Sequence, residues 1–270
     1  MIEITNLNFK YGKQANLFDG LTFTEQAGSI VGLLGKNGAG KSTLLKLLTG
    51  LLEAPKGTIN VMGSVPFDRK PQFLEEVYFV PEEYELPAVK IEEFAKAHAQ
   101  FYPRFDLFKF HQILLDFELK PQNRLNKLSY GQRKKFLIAF ALSTNCKVLI
   151  LDEPTNGLDI PSKAIFRKVV ASSLSEDQLV LISTHQVKDV ENLIDTLLIL
   201  DRGKIKMHRT IWDISMNYAF ATVKQLTEGE ILYSEVAPGG YKVLKETKSA
   251  GTEVDIELLF NAVTQGVTLN

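Results

Sequence analysis

The sequence is poor in the features that would signal several classes of function. It has one cysteine, Cys146, in 270 residues. An intramolecular disulfide is therefore impossible, and nothing in the chain requires an oxidising compartment. No apolar run comes near the ~20 residues of a membrane-spanning helix; the longest lie at residues 136–142 and 148–151. Charge of one sign is not in excess either, since 31 Lys plus Arg against 32 Asp plus Glu leave a net charge of -1. That balance argues against a dedicated nucleic-acid binder, which carries a basic patch. The opening Met1-Ile2-Glu3-Ile4 lacks the basic start and apolar stretch of a signal peptide. There is no internal repeat and no low-complexity linker. Apolar residues are abundant at 45 %, which speaks against disorder and supplies a core for one large or two modest domains. These features lead to the expectation of a soluble cytoplasmic chain.

The patterning predicts an α/β fold. Residues 2–7 and 21–24 alternate like half-buried strands, and 57–62 reads as another. Residues 29–34, 77–80, 147–151, 179–183 and 196–201 are nearly continuous apolar runs, as expected of strands covered on both faces. Helical spacing recurs at 41–51, 91–101, 107–119, 161–174 and 186–194. Strands alternating with helices imply a mainly parallel sheet. The expected organisation is residues 1–210 as one nucleotide-binding unit, with a helical insert at about 86–145, and 211–270 as a small α+β extension. In that extension, 226–236 and 240–246 suggest a hairpin around Pro238-Gly239-Gly240, and 254–265 a closing amphipathic helix.

Two motifs carry chemistry. Gly35-Lys36-Asn37-Gly38-Ala39-Gly40-Lys41-Ser42 fits G-x-x-x-x-G-K-[ST] between a buried strand and a helix. Glycines let backbone N–H groups turn inward, and the helix adds its positive end, so the segment suits a phosphate. Lys41 can span the β and γ phosphates of a nucleotide, the Ser42 hydroxyl can ligate Mg²⁺, and Thr43 offers a further donor to the α phosphate. The second motif is Asp152-Glu153, two carboxylates ending an apolar strand, at the sheet edge where α/β proteins bind ligands. Asp152 suits the metal, and Glu153 suits general-base work on an attacking water.

With Leu128-Ser129-Tyr130-Gly131-Gln132, Thr155-Asn156-Gly157-Leu158-Asp159 and Ser183-Thr184-His185 in that order, residues 1–210 resemble the ATP-binding cassette family, the nucleotide-hydrolysing subunits of transporters. The resemblance implies that Tyr11 stacks on adenine and that His185 bonds the γ phosphate. It also places Ser129, Gly131, Gln132 and Asp159 in nucleotide contact, with Ser129 and the Gly131 N–H reaching an ATP held by a second subunit. It thus implies a dimer of ATPase chains around two ATP molecules and a separate integral-membrane permease, at the inner face of the cell membrane. The insert is the implied permease contact, and its cluster Phe101-Tyr102-Pro103-Arg104-Phe105 reads equally as an exposed anchor or as insert core.

Two departures from the family pattern stand out. Glu82 occupies a position where the family usually has Gln; it can still ligate the metal but cannot donate a hydrogen bond while ionised. Tyr130 replaces the first signature glycine and has to fit its turn without positive φ. Arg133-Lys134-Lys135 reads mainly as a solvated face. Glu82 and residues 254–260 resemble the exporter branch, so export is expected over import. The rivals are a soluble cassette acting on ribosomes or DNA, which the neutral charge and single P-loop disfavour, and a binding-only switch, which Glu153 and His185 disfavour.

Overall fold

The computed structural model describes residues 1–13, 15–226, 231–247 and 253–269. The chain opens with β1 (Ile2–Phe9), β2 (Phe18–Glu25) and β3 (Ser29–Leu34), and β3 runs into helix α1 (Lys41–Leu48). Strand β4 (Lys56–Val61), the one-turn helix α2 (Pro71–Leu74) and β5 (Val77–Val80) follow. Helices α3 (Ile91–His98), α4 (Leu107–Asp116) and α5 (Tyr130–Ser143) occupy the insert. Alternation resumes with β6 (Val148–Asp152), α6 (Ile160–Ser173), β7 (Leu179–Thr184), β8 (Thr196–Asp201) and β9 (Lys204–Thr210). The last part comprises α7 (Ile211–Asn217), β10 (Tyr218–Val223), β11 (Ile231–Ala237), β12 (Gly240–Glu246) and α8 (Ile256–Thr264).

The central sheet has the order β5-β6-β7-β3-β8-β9, parallel except for β9, which folds back antiparallel on β8. Its inner strands are apolar throughout because both faces are covered, and the two-residue period assigns alternate side chains to two cores. Ile30, Leu34, Leu149 and Ile182 face the core under the helical insert and the C-terminal part. Val31, Leu33, Ile150 and Leu181 face α1 and the second, antiparallel sheet, β2-β1-β4. A third sheet, β10-β12-β11, packs with α8 against the first of these cores through Tyr218, Leu244 and Leu259. Because β7 lies between β3 and β6, the loops that follow these three strands share one edge of the sheet. Among the described residues, no helix is long and apolar enough to cross a membrane.

Several sequence expectations need correction. Residues 186–194 form only a short turn, Val187–Asp189, rather than a helix. Val190 leaves helical geometry at φ -128°, and the Asp189 carbonyl accepts from Arg167 (3.3 Å), while Val187, Val190, Leu193 and Ile194 are buried. Lys134 is not on a solvated face: it is fully buried, whereas Arg133 and Lys135 are half-buried. Strands β9 and β10 and helix α7 had not been anticipated. The expected strand 226–236 partly falls outside the described residues, and its described part is β11, paired with β12 around Gly239. The aromatic cluster divides: Phe101 is 61 % exposed, whereas Tyr102 and Phe105 pack on Phe140.

Candidate functional site

A cleft of about 530 Å³ opens at the sheet edge where β3, β6 and β7 end. Its walls include Tyr11, Asn37, Gly38, Gly40, Lys41, Ser42, Thr43, Glu82, Glu153 and His185, so ten of the sequence-derived candidates meet there. Gly40 opens α1 with φ 105°, a left-handed conformation that disfavours side chains, and a Cβ there would meet the Phe18 ring at 2.8 Å. No side chain caps α1, and its first turn has no acidic residue. By contrast, α4, α5, α6, α7 and α8 are capped by Asp106, Ser129, Asp159, Thr210 and Asp255. The N-terminal amides of α1 thus present a positive end that the chain does not itself neutralise, which is the arrangement an anion needs.

The charged groups are arranged around that helix end. Lys41 is buried, donates from Nζ to the Gly35 carbonyl at 2.7 Å and lies 3.9 Å from Glu153 Oε1. Gly35 and Ala39 are buried beneath the loop. Glu153 is only 4 % exposed and adopts φ 46°, a left-handed conformation that costs a non-glycine residue about 1–3 kcal/mol and is characteristic of functional sites. Its backbone N–H donates to the Ser183 carbonyl (3.1 Å), which ties the bend to β7. The bend separates the two carboxylates: Glu153 meets His185 Nδ1 at 2.8 Å, while Asp152 accepts from the Ser183 hydroxyl. A carboxylate can only accept, so the proton of the His185–Glu153 contact resides on Nδ1.

Tyr11 is 42 % exposed, edge-on to Phe9, with its hydroxyl 3.0 Å from Thr43 Oγ1. One face of its ring can therefore take a base. Ser42, Asp152 and Glu82 offer only oxygen donors, the set a hard cation such as Mg²⁺ prefers, so the residues present fit that ion. Among the described residues, no group of three or more His, Cys, Asp or Glu is placed to hold a metal ion, so the oxygen set includes the Ser42 hydroxyl.

The remaining candidates lie outside the cleft. Ser129 and Gln132 cap α5 reciprocally: Ser129 Oγ accepts from the Gln132 N–H (3.2 Å), and Gln132 Oε1 from the Ser129 N–H (3.0 Å). Tyr130 is the first residue of α5 and is not among the residues with positive φ, so it fits its turn. Its ring lies against Gly157, where a Cβ would approach within 2.4 Å, and stacks on Tyr84 at 6.1 Å. Gly131 abuts the Gly157 carbonyl, 2.6 Å from where its Cβ would stand. Asp159 caps α6 by accepting from the Ser162 N–H (2.9 Å), and the Ser162 hydrogen bonds hold its carboxyl below the usual range.

Sequence reasoning missed Leu17 and Lys36 on the cleft wall. Lys36 sits at an unconstrained position of the P-loop pattern, and Leu17 in a loop that carries no motif. It also missed Lys134 beneath the Glu82 loop, whose Nζ donates to the Pro81 and Glu82 carbonyls at 3.2 Å each. The i to i+4 spacing from Tyr130 to Lys134 was the available signal.

Comparison with known proteins agrees with this geometry. Residues 18–156 match the family model described as ABC transporter. The chain is 30 % identical to an uncharacterised ABC transporter ATP-binding protein of Methanocaldococcus jannaschii, over 87 % of this chain and 86 % of that one. It is 32 % identical to the SkfA peptide export ATP-binding protein SkfE of Bacillus subtilis, over 76 % and 87 %. A solved ATP-binding subunit of an ABC transporter superimposes with a TM-score of 0.72 and 28 % identity, covering 79 % of this chain and 91 % of that one. The chain therefore belongs to the ABC transporter family, as an ATP-binding and ATP-hydrolysing subunit.

Proposed function

We propose that this chain drives export by binding and hydrolysing Mg²⁺-ATP as one half of an ATPase dimer, docked on a separate permease at the inner face of the cell membrane. The observation that carries this reading is the uncapped end of α1, with Lys41 beside it, facing the buried Glu153–His185 pair across one cleft. In this reading residues 1–210 form the ATPase unit, with the insert at about 86–145, and 211–270 an accessory region.

The P-loop amides and Lys41 bind the phosphates, and Thr43 and Tyr11 hold the α-phosphate and adenine ends. Glu153 takes the proton of the attacking water, and burial beside Lys41 keeps its carboxylate aimed into the cleft. His185 has Nε2 left for the γ phosphate, because Glu153 occupies Nδ1; carboxylate and phosphate oxygens both only accept, so the ring serves them with a proton on each nitrogen. Ser42, Asp152 and Glu82 would hold Mg²⁺, which would supply charge neutralisation on the phosphates. Ser129, Gly131 and Gln132 stand away from their own cleft on an exposed turn, which supports action on nucleotide held by a second copy or a paralogue.

A groove of about 550 Å³, lined in part by Leu51, Arg69, Phe73, Phe79, Phe101 and Tyr102, supports the permease contact, with Phe101 exposed. The peptide-export relative and Glu82 support export. The test is Glu153→Gln. Turnover should fall at least about a hundredfold, the lower end of the range for loss of a general base, while ATP affinity is kept and light scattering reports an ATP-dependent dimer. Ordinary turnover by that variant would remove Glu153 from the chemistry, and a monomer at saturating ATP would overturn the dimer.

A further inference from the structure

The Glu153–His185 pair is connected to Glu82 through two residues with no role so far. Asn156 Nδ2 donates to Glu82 Oε1 at 3.1 Å. Asn156 Oδ1 accepts from Gln186 Nε2 at 3.2 Å. The same Gln186 nitrogen lies 3.5 Å from His185 Nε2, the outer limit of a hydrogen bond, and Gln186 Oε1 accepts from Lys163 Nζ at 3.3 Å. Lys163 is held in turn by Asp189 at 2.7 Å.

An amide can face either way, so a chain of amides normally has no fixed direction. Here both ends have one polarity only. A lysine ammonium can only donate, so Gln186 must offer Oε1 to Lys163 and its NH₂ to the other side. An ionised Glu82 can only accept, so Asn156 must offer its NH₂ to Glu82 and Oδ1 to Gln186. The two constraints agree at the Asn156–Gln186 bond. The second Gln186 N–H then faces His185 Nε2, which accepts it only as a lone pair, while Nδ1 donates to Glu153.

We propose that Asn156 and Gln186 are positioning residues that tie Glu82 to the His185 imidazole through a hydrogen-bond relay, its direction set by Glu82 and Lys163. The relay gives a physical meaning to Glu in place of Gln at position 82. A glutamine there could present either polarity to Asn156, whereas glutamate permits one. In the nucleotide-free chain the relay orients the imidazole with its proton toward Glu153 and its lone pair on Gln186. A phosphate oxygen can only accept, so contact with it in the cleft requires a proton on Nε2; that proton occupies the lone pair on which Gln186 donates and breaks the relay, so occupancy of the cleft is felt at the loop bearing Glu82. The catalytic consequence rests on the roles proposed above for His185 and Glu153, but the relay itself is a property of the nucleotide-free chain.

The experiment has two arms on the full chain. In the first, histidine is labelled with ¹⁵N, the His185 signals are assigned by their loss in His185→Gln, and spectra are taken without nucleotide. Nε2 should resonate as a hydrogen-bonded acceptor and Nδ1 as protonated. Gln186→Ala should move Nε2 toward the free-acceptor position, and Asn156→Ala should move it in the same sense although Asn156 touches no atom of His185. Ring nitrogens indifferent to both substitutions overturn the relay. In the second arm, Asn156→Asp places two acceptors face to face at Glu82; kcat should fall about tenfold, a coupling of ordinary size for hydrogen-bonded neighbours, with KM for ATP within about twofold. Glu82→Gln can donate to the new aspartate and restore a hydrogen bond there, reversed in direction, while residue 156 still accepts from Gln186, so Asn156→Asp should cost less than about threefold in that background. Simple multiplication of the two effects contradicts the proposal, because a merely structural loop would show it. A wild-type chain without ATP turnover would refute the functional reading and leave the nitrogen shifts to decide the relay.

Discussion

Replacing Lys134 by methionine tests how the loop carrying Glu82 is held. The ammonium is fully buried and donates to the Pro81 and Glu82 carbonyls, 5.1 Å above the Tyr84 ring and 6.0 Å from that of Tyr130. Burial pulls its pKa from 10.5 down to about 8, against the opposing pull of Glu82, Asp152 and Glu153. A lysine whose pKa is lower in the fold than in the unfolded chain releases its proton more readily when folded. The unfolded state therefore binds more protons between about pH 8 and 10.5, and stability rises with pH across that window. Below pH 8 the full cost of burying the charge is present, about 3 kcal/mol relative to the neutral amine. Between pH 7 and 9, about 1 kcal/mol of it is recovered. Urea denaturation of both proteins at intervals over that range reads the slope, and subtracting the variant removes the titrations common to both. The wild type should gain about 1 kcal/mol more than Lys134→Met between pH 7 and 9. Equal slopes, or a wild type that loses stability relative to the variant, would show that Lys134 is not held as a buried cation at neutral pH.

Substitutions at two further positions probe the nucleotide contacts. Gly131→Ala puts a methyl group 2.6 Å from the Gly157 carbonyl, so the signature turn must shift; turnover should drop at least about tenfold with ATP affinity retained, and normal turnover would separate that turn from catalysis. Tyr11→Ala should weaken ATP binding by about 1–3 kcal/mol, the usual worth of one stacked base, whereas Tyr11→Phe keeps the ring and loses only the Thr43 hydrogen bond. Equal affinity for Tyr11→Ala and the wild type, read by fluorescence titration, would leave Tyr11 as packing for Phe9.

The central sheet was legible because burial on both faces forces a continuous apolar signal. The strands Ser29–Leu34, Val77–Val80 and Thr196–Asp201 have the boundaries expected from that signal. The P-loop was legible for a related reason: its glycines and Lys41 are dictated by local backbone geometry. Residues 186–194 misled because apolar spacing alone does not reveal that Val190 leaves helical geometry and that Arg167, not a helical N–H, takes the Asp189 carbonyl. Lys134 misled because a charged residue in a basic run gives no sign that two tyrosines and two carbonyls enclose it. Strand β10 was missed because it pairs with β12 across 18 to 28 residues, from the Val223 and Tyr241 pair to the Tyr218 and Glu246 pair, a contact that no local pattern announces. The Asn156–Gln186 bond joins residues thirty positions apart, and only the adjacency of β6 and β7 brings them within reach.

The lone cysteine has a practical consequence. Cys146 is buried, its Sγ faces the Glu75 carbonyl, and burial pushes its thiol up to about 12. At neutral pH almost none of it is thiolate, the form that reacts with maleimides and methanethiosulfonates. The native chain is thus chemically silent toward such reagents, and a cysteine placed at exposed Phe101 or Asp159 becomes the single handle on the folded protein. Spin labels or fluorophores attached there can report the separation of two subunits through a turnover cycle, with the wild-type residue at position 146 left in place.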